Sequence, residues 1–168
     1  MLKFEGRIRL TFRPAAGESH NRGIREMNTL ETVLDTNVLI AALRSRRGAS
    51  FQLLRRVGHE RWRWHLSTAL FLEYEAVARR EAQHFWLHPN RIEDVLDFLA
   101  ASGQEHAVSF RWRPFLNDPN DDFILELAVA ANVRYIVTHN LRNFAGVESF
   151  GLEAITPAQM LLKLQENK

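Results

Sequence analysis

The sequence predicts an α/β fold, a three-layer α/β/α sandwich with a mainly parallel sheet. After residue 31, short apolar runs of strand length alternate with stretches of helical periodicity, and strands separated by such helices form βαβ units. The chain has 168 residues, which is room for one core of this kind. Ligands of open parallel sheets bind beyond the carboxyl ends of the strands. The residues that follow each predicted strand are therefore the candidates for function.

The predicted elements follow one another from residue 32 to the C-terminal region. Ser67 is a favourable N-cap for the helix after the second strand, and Pro119 has a permitted first-turn position in a later helix. Strands are predicted at Thr32–Thr36, Arg63–Ser67, His106–Phe110, Arg134–Thr138 and Leu152–Thr156. Helices are predicted over 37–43, 50–57, 68–81, 90–101 and 117–131, and from Pro157 onward.

The composition excludes several classes of protein. The chain has no cysteine, which excludes disulfide scaffolds, thiol catalysis and Cys-based zinc sites. Its longest apolar run, Val38–Leu43, has six residues, whereas a membrane span needs about 18. We therefore expect a cytoplasmic protein that does not associate with membranes.

The N-terminal segment differs from the rest of the chain. Residues 1–30 carry six basic and three acidic side chains, and residues 31–168 carry 16 basic and 17 acidic ones. Residues 1–26 also contain the turn-forming cluster Pro14–Gly17 and lack the apolar stretch of a secretory signal. We expect residues 1–26 to be a loosely attached extension or a mis-assigned start, and residues 27–168 to form the folded domain.

Asp35 ends the first predicted strand and has apolar residues on both sides. A buried carboxylate is costly unless it is paired or binds a metal ion. Asp35 could instead cap the next helix by accepting backbone N–H groups. Asn37 could likewise be a cap or contribute a hydrogen bond to a functional site.

Two glutamates fall on different faces of the helix predicted over 68–81. Glu73 follows the apolar spacing set by Leu70 and Val77 and is therefore predicted to lie in the buried stripe. Glu75 points toward solvent, where it can pair with Arg79 four residues later. An acid on a core face needs a partner, which makes Glu73 the second candidate.

A third acidic cluster opens the helix predicted over 117–131. Asp121 is in phase with Leu125 and is predicted to begin the buried stripe, whereas Asp122 is in phase with Glu126. Asp118 is predicted to be the N-cap. Acids in a first helical turn are also favoured by the helix dipole alone.

The fourth predicted strand ends in Thr138, His139 and Asn140, on the same edge of the sheet as Asp35. Asn140 could also do no more than begin the following turn, and His139 could contact a substrate. Three carboxylates at this edge would repel one another unless they were protonated or bound a cation. Oxygen ligands suit Mg²⁺ or Mn²⁺, which can activate water against a phosphodiester. The residues alone thus predict a metal-dependent phosphoryl hydrolase.

The order and spacing of four motifs resemble the PIN (PilT N-terminus) domain ribonucleases, particularly the VapC-like toxins of toxin–antitoxin modules. The motifs are Val33–Leu39, Leu72–Glu75, Asp118–Ala128 and Tyr135–Asn140, and the resemblance covers Thr32–Leu162. It implies a PIN-like α/β/α fold, with a nuclease domain that we place at 27–168. It also implies that Asp35, Glu73 and Asp121 are catalytic acids that bind the metal ion.

The resemblance implies an endoribonuclease that uses Mg²⁺ or Mn²⁺ to cleave RNA, with a cognate antitoxin as partner and a homodimer as one form of assembly. Asn140 joins the catalytic set, and Asn37, Thr138 and Asp122 are expected to shape the site and position water. The family often has Asp where this chain has Asn140, so one negative charge is missing. The alternative is a catalytically weak or inactive PIN fold that binds RNA or a partner protein.

An arginine-rich stretch supplies candidate contacts to RNA. Seven arginines and one glutamate lie between residues 44 and 63, and guanidinium groups match the geometry of phosphate oxygens. Trp62 and Trp64 could stack on unpaired bases, although the alternation of Trp64 with Leu66 also fits a core strand. Part of the arginine stretch could equally be a solvated helix face. The residues expected to contact RNA phosphates are Arg44, Arg46 and Arg47.

Overall fold

A parallel sheet forms the centre of the part of the chain that the computed structural model describes, residues 29–108 and 115–166. Within those residues the strands are β1 (Leu30–Leu34), β2 (Trp62–Leu66), β3 (Gln104–Glu105), β4 (Tyr135–Val137) and β5 (Glu153–Ile155). Their order in space is β3-β2-β1-β4-β5, and each neighbouring pair is parallel. The predicted α/β sandwich with a parallel sheet is confirmed.

Crossover connections join the parallel strands; they contain α-helices except between β4 and β5, where two 3₁₀ turns lie. The bounds of the helices are α1 (Thr36–Arg44), α2 (Ala49–Leu54), α3 (Thr68–Glu81), α4 (Ile92–Ser102), α5 (Asp122–Ala130) and α6 (Pro157–Glu166). Helix α5 packs directly on β1, β2 and β4, while α1 packs on α2 and α3. Short 3₁₀ turns lie at 82–84, 89–91, 119–121, 141–144 and 147–150.

Strands β1 and β4, in the middle of the sheet, are buried on both faces, as is usual in parallel sheets. Val33 and Ile136, which are paired in register, are fully buried. Trp62 and Trp64 are also buried in β2, and the Trp62 indole N–H donates to the Thr32 hydroxyl at 2.9 Å. The suggestion that these two tryptophans stack on RNA bases is therefore wrong.

The largest error in the predicted elements concerns the third strand. The sequence pattern predicts this strand at His106–Phe110, but β3 is Gln104–Glu105. Residues 109–110 lie outside the described residues. The chain enters the sheet directly after Gly103, where a Cβ atom would lie 3.0 Å from the Trp64 ring. Glycine permits this close approach to β2, so the strand begins earlier than its apolar pattern indicates.

The carboxyl ends of β1 and β4 lie side by side. Asp35 N–H donates to the Val137 carbonyl at 2.9 Å, and Thr138 N–H donates to the Ile155 carbonyl at 2.8 Å. These bonds fix Asp35 and Thr138 at one edge of the sheet. The expected extension, residues 1–26, lies outside the described residues. Among the helices that are described, none is long and apolar enough to cross a membrane.

Candidate functional site

Asp35 lies at the N-terminus of α1 with only 5% of its surface exposed. Its Oδ1 accepts a hydrogen bond from Asn37 N–H at 3.2 Å, so it does cap the helix, as the simpler interpretation predicted. Its Oδ2 accepts two further bonds of 2.6 Å, from the Asn37 amide and the Thr138 hydroxyl. Burial raises the pKa of Asp35, and these hydrogen bonds oppose that shift.

Asn37 and Thr138 hold the edge of the sheet together. The Asn37 amide also donates to Thr138 Oγ1 at 3.1 Å, and Asn37 Oδ1 accepts from His139 N–H at 3.1 Å. Thr138 Oγ1 accepts from Asn140 N–H at 2.9 Å. Both side chains were expected to shape the site, and here they orient the Asp35 carboxylate directly.

Glu73 projects from the second turn of α3 toward the same edge. Burial raises its pKa, and the charges of Asp35 and Asp121 raise it further. The nearby Thr36 hydroxyl opposes the shift, but within the described residues it completes no hydrogen bond. Among the described residues, Glu73 Oε2 is buried and has no hydrogen-bond partner. A buried carboxylate oxygen without a donor is costly, so Glu73 is a candidate ligand for a cation. Glu75 instead forms the predicted surface pair with Arg79, at 2.8 Å.

Asp121 ends the 3₁₀ turn that precedes α5. The Asn143 side-chain amide donates to Asp121 Oδ2 at 2.7 Å. Burial raises the pKa of Asp121, the Asn143 bond opposes this shift, and the charge of Asp35 raises the pKa further. The predicted cap is confirmed, because Asp118 accepts from Asn120 N–H at 3.0 Å.

The three acids thus lie within electrostatic range of one another, with the pKa of each raised. Among the described residues, no group of three or more acidic, histidine or cysteine side chains is arranged to hold a metal ion. Mg²⁺ commonly keeps several waters and uses only one or two carboxylates. An open group of oxygen donors that contains a partnerless buried oxygen, at Glu73, fits such an ion.

Asn140 and His139 line the outer side of this edge. Asn140 is exposed, and its side chain forms no cap on the turn that follows it. His139 Nε2 lies 2.7 Å from Ser50 Oγ, and burial lowers the pKa of the imidazole. The rim of the acidic group is therefore formed by neutral side chains.

Asp122 has a different role from the one expected. It was predicted to shape the site, but it is 1% exposed, and its carboxylate accepts from the N–H groups of Phe115 and Leu116 at 2.9–3.3 Å. Glu126, in phase with it, is buried too. The phase argument failed because α5 is buried almost all round, so no helical face distinguishes Asp121 from Asp122.

The three arginines expected to contact RNA are exposed, at the end of α1 and in the following loop. Arg44 forms an ion pair with Glu81, and the hydrogen bond from Arg44 lowers the pKa of Glu81. The Arg46 guanidinium lies over the Trp86 ring, 4.9 Å from the ring centroid. Arg47 N–H donates to Ser45 Oγ at 3.4 Å.

Sequence reasoning missed three residues that support the acidic group. Asn143 lies in a 3₁₀ turn without useful periodicity, and nothing local to Ser50 indicates its contact with His139. Tyr74 donates its hydroxyl to the Leu34 carbonyl at 2.5 Å, next to Asp35. Its position beside Glu73 in the apolar stripe could have indicated that contact. Burial raises the pKa of Tyr74 well above its ordinary value.

The fold and the acids at the strand ends define a parallel α/β domain with an acidic site at the sheet edge. Residues 31–142 match the model of the PIN domain, and the chain belongs to this family. No curated protein matches the chain.

Three solved structures share the fold. VapBC-1 from nontypeable Haemophilus influenzae is 18% identical over 77% of this chain and 99% of that chain, with a TM-score of 0.53. VapBC2 from Rickettsia felis, bound to a DNA fragment from its promoter, is 15% identical over 76% and 98%, with a TM-score of 0.55. DNA-bound VapBC from Salmonella typhimurium is 18% identical over 77% and 99%, with a TM-score of 0.52. At these identities the likeness concerns the fold alone.

Proposed function

We propose that this PIN-domain protein is a metal-dependent endoribonuclease and the toxin of a toxin–antitoxin pair. The observation that carries the proposal is the group of three carboxylates whose pKa values are all raised, with one buried Glu73 oxygen that has no partner in the part of the chain that the structure describes. Such a group is poorly stable when ionised and free of cations. A divalent cation would relieve both its repulsion and its unpaired oxygen.

Asp35, Glu73 and Asp121 would hold Mg²⁺ or Mn²⁺ in this proposal. A bound ion of this kind polarises a phosphodiester and lowers the pKa of its water. The protein's own contribution is orientation, because outer hydrogen bonds fix the direction of metal-binding carboxylates. Thr138 and Asn37 fix Asp35, and Asn143 fixes Asp121.

The exposed rim would receive the RNA strand. Asn140 can donate and accept hydrogen bonds at the edge of the acidic group, where it would position water or a phosphate oxygen. Arg46 and Arg47 are exposed, and their positive charges would attract the phosphates of the RNA strand. Arg44 shares its charge with Glu81, so we propose it as the weaker of the three phosphate contacts.

An antitoxin is the proposed protein partner. Three of the solved structures that share the fold are VapBC structures, two of them bound to DNA. Carboxylates at an open edge can accept paired hydrogen bonds from a partner's arginine.

The homodimer implied by the resemblance is tested by sedimentation of the purified chain.

A second candidate function is RNA or partner binding without efficient cleavage. The observation that favours it is Asn140, an exposed neutral residue at a position where the resemblance leads us to expect an acid. One fewer negative charge should weaken the hold on a cation.

The test is cleavage of a mixed pool of single-stranded RNA by the wild type and Asp35→Asn, each with Mn²⁺, Mg²⁺ or EDTA. Because contaminating nucleases are common, the variant is prepared in parallel. Cleavage that disappears both in the variant and in EDTA supports the endoribonuclease. Equal inertness of both proteins, with RNA or partner binding retained, supports the second candidate.

A further inference from the structure

Trp86 is a large aromatic side chain held rigidly at the surface. The residue is 43% exposed, which is unusual because tryptophan is highly buried on average. The indole N–H donates to the Ala42 carbonyl at 3.0 Å, and Trp86 N–H donates to the Leu43 carbonyl at 3.1 Å. Phe51 contacts the ring edge-on, with centroids 5.7 Å apart and planes at 89°. The backbone bond fixes the position of the residue, and the Ala42 and Phe51 contacts fix the orientation of its ring.

Positive charge lies directly on this ring. The Arg46 guanidinium is 4.9 Å from the ring centroid, within the range of a cation–π contact. Arg47, the next residue in the chain, is exposed. Unpaired bases stack on aromatic rings and on guanidinium planes, and here a guanidinium lies over an aromatic ring.

The loop that carries these arginines leads to the acidic group. It ends at α2, where Ser50 Oγ lies 2.7 Å from His139 Nε2. His139 N–H in turn bonds Asn37 Oδ1, and the Asn37 amide bonds Asp35. Along α1, Asp35 and Ala42 are seven residues apart, which is roughly 10 Å at 1.5 Å per residue. The Ala42 carbonyl that holds the indole is thus about three stacked bases from Asp35 along the axis of α1, at about 3.4 Å per base.

We infer that Trp86 and Arg46 form a stacking platform for an unpaired base of the RNA strand whose phosphate lies at the acids. The inference rests on the proposed function, because it takes the ligand to be RNA. Capping of α1 explains where the indole N–H points, but it does not require an exposed ring in contact with an arginine. The platform would give binding with little sequence preference, since every base has a face that stacks.

The test measures binding of a short fluorescein-labelled oligoadenylate by fluorescence anisotropy in EDTA, so that cleavage does not enter. Trp86→Leu removes the ring, whereas Trp86→Phe keeps an aromatic ring and loses the N–H cap. We expect Trp86→Leu to weaken binding about 5–100-fold, because a base stacked on an aromatic ring contributes about 1–3 kcal/mol and 1.4 kcal/mol is tenfold. Trp86→Phe should retain most of the affinity.

Three further measurements distinguish base stacking from charge attraction and from loss of folding. Arg46→Gln should reduce the salt dependence of binding, and Arg134→Gln, at an exposed arginine outside the platform, should change it less. Oligoadenylate should quench the tryptophan emission of the wild type more than that of Trp86→Phe. Urea unfolding of each variant shows whether it is folded.

The inference is overturned if the wild type does not bind oligoadenylate, or if folded Trp86→Leu binds as tightly as the wild type. It is also overturned if Trp86→Phe and Trp86→Leu lose affinity equally, because that pattern indicates helix capping alone. Loss of affinity for a protein partner with unchanged RNA binding would assign the surface to that partner. Failure of the proposed nuclease is read separately, as absence of metal-dependent cleavage by the wild type.

Discussion

The Thr138 hydroxyl donates a 2.6 Å hydrogen bond to Asp35 Oδ2 and thereby ties the carboxyl end of β4 to that of β1. Thr138 is fully buried, and its oxygen also accepts from Asn37 and Asn140. Together with Asn37, this side chain therefore sets the direction of the Asp35 carboxylate.

We predict that Thr138→Val weakens Mn²⁺ binding about 10–100-fold, which is the usual cost of losing a residue that orients a metal ligand. It should also cost about 1–3 kcal/mol of stability, since buried acceptors and donors lose their partner. Titration calorimetry with Mn²⁺ and urea unfolding measure the two effects.

The matched control for that variant is Thr32→Val. Thr32 is also fully buried in the sheet, but its hydroxyl accepts from Trp62 rather than bonding an acid. Thr32→Val should therefore lose stability and keep its Mn²⁺ affinity. Equal loss of affinity in both variants would show that Thr138 acts only through general stability.

The three raised pKa values predict how pH changes the effect of a cation. The ordinary pKa values are 3.8 for Asp35 and Asp121 and 4.5 for Glu73. Because the folded state holds these protons more tightly, the three groups stabilise it below those values. That contribution is lost as the pH rises through the raised values.

Mn²⁺ should restore the lost stability at neutral pH, where the carboxylates are ionised. At one hundred times its Kd, a ligand adds about 2.7 kcal/mol, which is about 5–10 °C in Tm for a domain of this size. The shift should vanish near about pH 4, where protons compete for the carboxylates. Thermal scans with and without Mn²⁺ measure it, and a shift independent of pH would contradict this account.

Asp121 and Asp122 are adjacent, and we predict different effects on stability and on the response to Mn²⁺ when each is replaced with alanine. Asp122→Ala should cost about 1–3 kcal/mol, because it leaves the N–H groups of Phe115 and Leu116 unpaired. Asp121→Ala should leave the stability nearly unchanged and abolish stabilisation by Mn²⁺. Urea unfolding with and without Mn²⁺ compares them; similar losses of stability in the two variants would contradict their separate roles.

Much of this molecule could be predicted from its sequence, and the exceptions have physical reasons. The sequence predicts that Asp35 and Thr138 lie together, because the carboxyl ends of parallel strands meet at one edge of the sheet. Glu73 was found because α3 has one apolar face. Asp122 was misassigned because α5 has no polar face, so phase carries no information there.

Other residues carry no local signal in the sequence. Asn143 supports Asp121 from a 3₁₀ turn, whose bonds do not impose a periodic pattern of burial. Trp86 lies in the predicted break between two helices, where apolar spacing cannot separate an exposed ring from a buried one. The arginine-rich stretch instead indicates Trp62 and Trp64 as stacking residues, and both lie in the core, in β2.

Asn140 offers a gain-of-function prediction. Asn140→Asp adds a carboxylate at the rim of the acidic group and should tighten Mn²⁺ binding a few-fold to about tenfold. Asn140→Ser is the neutral control, and because the position is exposed, both variants should keep the wild-type stability. Calorimetric titration distinguishes them, and equal affinities of the Asp and Ser variants would show that Asn140 lies too far from the ion.

The measurement that tests the central claim most directly compares two glutamates of α3. Glu73→Gln and Glu75→Gln remove the same charge two residues apart. Glu75 pairs with Arg79 at the surface, whereas Glu73 has a buried oxygen without a partner among residues 29–108 and 115–166. Both variants and the wild type are assayed for Mn²⁺-dependent cleavage of single-stranded RNA. We predict a loss of more than about 100-fold for Glu73→Gln, beyond the cost of a residue that only orients a ligand, and wild-type activity for Glu75→Gln. Retained cleavage in Glu73→Gln, or equal loss in both, would contradict the assignment of Asp35, Glu73 and Asp121 as one metal site.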